Sequence, residues 1–128
     1  MAGAVLDTSV FIASEPGRRL HQPLPDQVSV SVLTLAELEL GVLMARDPDT
    51  RSKRLATLSG VREHTVGLAA DDRVASAYAR LAAGELAAGR KPRVHDTWIA
   101  ATALVHGAEV WTQDADFTSF TAVPVVRV

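Results

Sequence analysis

The chain has 128 residues, 48% hydrophobic and 22% charged, with a net charge of −2 and no cysteine. That length can bury a core without staples, and the missing thiols exclude disulfides, Cys-ligated zinc and thiol nucleophiles. A near-neutral balance provides no bulk attraction to nucleic acid, so such a role needs locally clustered Lys and Arg. No apolar run approaches the ~20 residues of a membrane span, and no basic segment precedes an apolar one at the N-terminus. One cytoplasmic domain over residues 1–128, off the membrane, is expected.

GAVL (3–6) reads as a short buried strand, followed by a helix from about Thr8 to Ser14. EPGRRLHQPLPD (15–26) is loop, punctuated by Pro and Gly. QVSVSV (27–32) alternates as a strand does, and TLAELELGVLMAR (34–46) reads as a helix. DPDT (47–50) reads as a break with Asp49 or Thr50 as cap, ahead of a short helix over 51–60 and a strand over 63–68. Residues 71–89 form a long Ala-rich helix, capped by Asp71 or Asp72 and ended by Gly89. A basic loop, RKPR (90–93), leads to a helix over 95–107, ended by Gly107. AEVWTQ (108–113) is a strand, DADFTSF (114–120) a turn or short helix, and AVPVVRV (122–128) a last strand with an edge-type Pro124. Strands alternating with helices predict α/β layering around a mostly parallel sheet.

In open parallel sheets, ligands bind beyond the carboxyl ends of the strands. Asp7, Asp114 and Asp116 fall at such ends; Glu37 lies one turn into a helix that follows a strand, and Asp96 begins another helix. Each has a plain structural reading. Asp7 and Asp96 suit helix N-termini, Thr34 and Glu37 match a capping box, and DAD (114–116) suits a polar turn. Asp71 and Asp72 are the comparison case, acids read as caps alone.

Glu37 departs from the capping account. Its helical neighbours Leu33, Leu40, Gly41 and Met44 carry no charge, and the helix is apolar nearly all round. A carboxylate buried there needs a partner, a metal or a proton. The same apolar surface predicts packing against another chain. Clustered carboxylates raise one another's pKa unless a cation sits among them. Oxygen-only ligands favour Mg²⁺ or Mn²⁺ over zinc, which predicts metal-dependent phosphoryl transfer.

VLDTSVFIA, LTLAELELGV, RKPRVHDTWIAATALVHG and VWTQDADF resemble, in order and spacing, the motifs of PIN-domain ribonucleases, above all the VapC-type toxins of bacterial toxin–antitoxin modules. The resemblance spans nearly the whole chain; the loop at 15–26 and residues 47–65 lack a recognisable pattern. It implies a three-layer α/β/α sandwich, Mg²⁺- or Mn²⁺-dependent endonucleolytic cleavage of RNA, a small antitoxin partner of the VapB type and a homodimer. Carried over, Asp7, Glu37, Asp96 and Asp114 are the catalytic acids, with Asp7, Asp96, Asp114 and Asp116 on the metal. The family often has Asn where this chain has His95, just before Asp96. Thr8, Ser9 and Thr112 match small hydroxyl positions near the site but also suit caps and turns.

Because the acids repel RNA, cations must guide the strand. Arg90, Lys91 and Arg93 in GRKPR are the leading RNA-contact candidates, with RSKR (51–54) and Arg18–Arg19 as lesser clusters. His21 and His64 read as loop or strand-edge residues, His106 as a helix C-terminus, and Trp98, Trp111 and Tyr78 as packing. Two other functions share these features. A phosphatase or phosphotransferase would use Asp7 as nucleophile, but dehalogenase-like enzymes carry a second Asp where this chain has Ser9. A non-catalytic binding module would have no use for a full set of acids.

Overall fold

The computed structural model describes residues 3–14, 20 and 22–128. Five strands, β1 (Ala4–Leu6), β2 (Val28–Ser31), β3 (Val66–Leu68), β4 (Glu109–Thr112) and β5 (Val125–Arg127), form one sheet in the order β3-β2-β1-β4-β5. Every pairing is parallel. The helices are α1 (Thr8–Ser14), α2 (Val32–Leu43), α3 (Pro48–His64), α4 (Asp72–Ala87) and α5 (Val94–Val105), with a 3₁₀ turn at Ala115–Ser119. The Arg18–Arg19 cluster and His21 lie outside the described residues.

Side chains alternate across a strand, and here the alternation sorts two cores. Ala4, Leu6, Val30 and Trp111 pack under Val10, Leu38, Val42, Leu58 and Val61, drawn from α1, α2 and α3. Val5 and Val110 point the other way, against Ile99, Ala100 and Ala103 of α5. The result is the expected three-layer α/β/α sandwich. Small residues let α4 and α5 approach closely: Val74, Ala77 and Ala101 are fully buried between them. Tyr78 stacks on Trp98 with ring centroids 4.4 Å apart, a packing role for both.

Helix ends follow local chemistry. Asp71 caps α4, accepting from the Val74 N–H at 3.0 Å. Gly89 and Gly107 follow α4 and α5 at positive φ, 78° and 61°, where a Cβ would strain the chain. α3 is longer than expected. Asp47 is its cap, not Asp49 or Thr50, and Pro48 takes the first turn, where its missing N–H costs nothing. DPDT is therefore a start signal, and residues 63–64 finish the helix instead of opening β3.

α2 also starts early. Ser31 is the cap, accepting from the Leu33 N–H at 3.1 Å, so TLAE does not form a capping box. Thr34, Leu38 and Val42 are buried, while Leu40, Leu43 and Met44 remain 58–68% exposed. Arg54 of α3 donates to the Gly41 carbonyl at 2.8 Å and ties the two helices together.

Asp71→Ala should lower stability by about 1 kcal/mol through loss of the cap, whereas Asp71→Asn should be nearly silent. Thermal melts of the two variants beside wild type check this; equal losses would show that charge, not capping, matters there.

Candidate active site

The chain runs from β1 through β2 to β3 on one side of the sheet, then returns to β4 and β5 on the other. The chain direction across the sheet switches between β1 and β4, and the crevice expected beyond the carboxyl ends at such a switch is the usual ligand position. Asp7 follows β1 directly, and its N–H donates to the Trp111 carbonyl at 2.9 Å. Asp114 and Asp116 follow β4, while Glu37 and Asp96 come from α2 and α5.

Asp7 is buried, at 6% exposure, and its carboxylate accepts from hydroxyls. Ser9 Oγ and Thr112 Oγ1 donate to its Oδ2 at 2.6 and 2.9 Å. Those hydroxyls accept in turn from the N–H groups of Gln113 and Asp114, at 3.0 and 2.9 Å. With each hydroxyl's acceptor side taken by a backbone N–H, its single proton is directed at Asp7. Asp7 Oδ1 accepts no hydrogen bond among the described residues and is the oxygen left for a ligand.

Thr8 positions a second acid. Its Oγ1 donates to Glu37 Oε1 at 3.0 Å and lies 3.3 Å from Thr34 Oγ1. His95 Nδ1 stands 3.8 Å from the other Glu37 oxygen. The hydroxyls of Thr8, Ser9 and Thr112 thus orient carboxylates instead of serving only caps and turns. Thr34 escapes sequence reading because it completes a capping pattern; a lone threonine in an apolar helix was the available signal.

The other three acids surround Arg93. Its Nη1 donates to Asp96 Oδ2 at 2.7 Å and lies 3.8 and 3.7 Å from Asp114 and Asp116 oxygens. Its Nη2 donates to the Asp116 carbonyl at 2.6 Å. Asp114 also accepts from the Asp116 N–H at 2.8 Å, so it both caps the 3₁₀ turn and faces the site. Burial pushes the Asp96 carboxyl up to about 6; Arg93 opposes this, and the charges of Asp7, Asp114 and Glu37 add to it. All four quartet acids therefore share one electrostatic neighbourhood.

The basic loop does not act as one patch. Arg90 makes a two-pronged contact with the buried Glu85, its Nε 2.7 Å from Oε2, and holds that carboxyl below its usual range. Arg93 is turned into the acids, and Lys91 makes no side-chain hydrogen bond or ion pair among the described residues. Among the described residues, no three His, Asp or Glu side chains are placed so that they could hold a metal ion. The donors nevertheless suit a hard divalent cation: three carboxylates meet one guanidinium, and the charges of Asp7 and Glu37 act on the same Asp96 carboxyl.

Residues 4–122 match the PIN domain family, and the chain belongs to that family. It is 47% identical over 131 residues to Ribonuclease VapC5 of Mycobacterium tuberculosis, an alignment spanning 99% of this chain and 96% of that one. Ribonuclease VapC4 of the same organism is 38% identical over 130 residues, covering 98% and 96% of the two chains. The fold superposes on the crystal structure of VapBC-5, a member of the VapBC family of toxin–antitoxin systems from M. tuberculosis. That match has a TM-score of 0.88 and 43% identity over the full length of both chains.

The raised Asp96 pKa has a stability consequence. An unfolded Asp ionises near 3.8 and this one near 6, so the folded state loses stability as pH rises from about 4 to about 6. Asp96→Asn should leave the metal-free Tm unchanged at pH 4 and raise it by roughly 3–5 °C at pH 7.5, after discounting for partial exposure. Melting curves in EDTA at both pH values test this; an equal change at the two would refute it.

Proposed function

We propose that this protein is the toxin of a type II toxin–antitoxin module, an endoribonuclease that hydrolyses RNA phosphodiester bonds with Mg²⁺ or Mn²⁺. The observation that carries the reading is the convergence of Asp7, Glu37, Asp96 and Asp114 beside the β1–β4 crevice, with Asp7 Oδ1 unengaged among the described residues. The names of its relatives, ribonucleases and toxin–antitoxin complexes, support the same conclusion.

Asp7, Asp96, Asp114 and Asp116 are the residues that would hold the cation. A bound divalent ion supplies Lewis acidity, lowering the pKa of water and offsetting charge on phosphate oxygens. The chain's own part is orientation. Ser9 and Thr112 fix the Asp7 plane, and Thr8 fixes Glu37 at the crevice mouth, where it can accept a proton from the attacking water. Within this loop, Lys91 is the cation with no ion pair among the described residues and is the one we assign to a phosphate, with Arg90 and Arg93 supporting the loop on either side.

The ordering of Ser9 disfavours the phosphatase alternative. Where a second acid would sit, a hydroxyl is committed to Asp7 and to the Gln113 backbone. The exposed stripe of Ile12, Leu40 and Met44 borders Glu37 and His95. Burying such apolar area against a second chain is favourable, and the stripe is where we place the antitoxin or the second toxin subunit.

Purified protein with Mn²⁺ should cleave structured RNA while sparing single-stranded DNA and a phosphomonoester. Asp7→Asn should lower the cleavage rate by more than ~100-fold, and Thr112→Val by roughly 10–100-fold, as expected for a residue that orients a ligand. A wild-type rate in Asp7→Asn overturns the proposal. Expression of the chain alone should arrest bacterial growth, with relief by a small co-expressed partner. Unimpaired growth with intact RNA, despite abundant folded protein, speaks against the toxin assignment.

A further inference from the structure

Arg93 has an unusual position for a residue of a basic loop. It is the cap residue of α5 yet makes no side-chain capping bond. Its guanidinium lies between the acids and an aromatic wall. One side meets Asp96, Asp114 and Asp116. The other is held by the Asp116 carbonyl and by the rings of Phe117 and Phe120, 5.8 and 5.6 Å from its central carbon. Ser119 Oγ lies 3.5 Å from Nη2. Phe117 and Phe120 belong to the core, so the wall is rigid and the placement is built into the fold. The contacts go beyond a single surface ion pair: three carboxylates, a carbonyl and two ring faces converge on one group.

We propose that Arg93 is the resident counter-cation of the acid site, holding Asp96, Asp114 and Asp116 in the metal-free protein and competing with the divalent cation for them. This rests on the metal-site reading above. It accounts for two observations together. The carboxylates are gathered in one crevice, but no three of them among the described residues are placed to hold an ion, because the guanidinium engages Asp96 and lies beside the other two. A divalent ion entering the crevice must share those oxygens with a charge of the same sign, so Arg93 weakens its binding.

Electron paramagnetic resonance of free Mn²⁺, titrated with metal-stripped protein, measures the competition directly. Arg93→Gln should bind Mn²⁺ at least about tenfold more tightly than wild type and should melt at a lower temperature without metal. Arg93→Lys keeps the charge and should stay within a few-fold of wild type. In the wild type, the Arg93 guanidinium signals in an NMR spectrum should shift as Mg²⁺ is added, a readout that does not depend on any variant folding. Unchanged or weaker Mn²⁺ binding by Arg93→Gln, or Arg93 signals that stay fixed through Mg²⁺ saturation, overturns the role. Asp7→Asn separates the two levels of the proposal. If wild type binds Mn²⁺ and Asp7→Asn does not, a null result for Arg93→Gln removes only the counter-cation. If neither wild type nor Arg93→Gln binds, the metal site falls with it.

Discussion

Like charges crowded into one crevice are the constraint on which the site depends. Asp7, Glu37, Asp96 and Asp114 sit close enough for three of them to raise the pKa of the fourth. Such a cluster costs folding free energy, and the fold contains the cost with hydrogen bonds and one guanidinium. Two hydroxyls take charge density from Asp7, one takes it from Glu37, and Arg93 engages Asp96. A protein selected for stability alone would have no reason to collect these acids. Their convergence from separate elements makes a functional account stronger than a capping account, even though Asp114 does cap a turn.

The parallel sheet and the acids were legible because their signals are local and independent. Short apolar runs between helical segments specify the strands, and two of them, β1 and β4, run directly into Asp7 and the Asp114–Asp116 turn and so mark their carboxyl ends. The α3 boundary was misread because Asp47–Pro48 carries both a break signal and a start signal, and only the tertiary position of the segment chooses between them. Thr34 and Glu37 satisfied a capping pattern in sequence, yet Ser31 took the cap and freed both for contacts with Thr8. The detail least visible in the sequence concerns RKPR. Four adjacent letters look like one basic surface, but Arg90 turns to Glu85 and Arg93 to the acids, leaving Lys91 unpaired among the described residues. Sequence adjacency says nothing about which way three long side chains turn; the Arg93–Asp96 spacing of one helical turn was the only hint.

α2 serves two surfaces. Its inner positions, Thr34, Leu38 and Val42, are packed, while Leu40, Leu43 and Met44 stay in water. Glu37 lies at the boundary, beside the same groove as Leu40 and Met44. Whatever covers the outer stripe therefore also approaches the acid site, so docking and control of the chemistry are geometrically linked.

The hydroxyl frame around Asp7 joins residues 105 positions apart, Asp7 and Thr112. β1 pairs with β4 across a similar span, Ala4 against Glu109. Such contacts carry a high loop-closure entropy, because the chain between them must be brought together before they form. Asp7 therefore depends for its orientation on a hydroxyl that lies 105 positions further along the chain. The hydroxyl frame is complete only where β1 and β4 are paired, so the orientation of Asp7 reports on closure of the middle of the sheet.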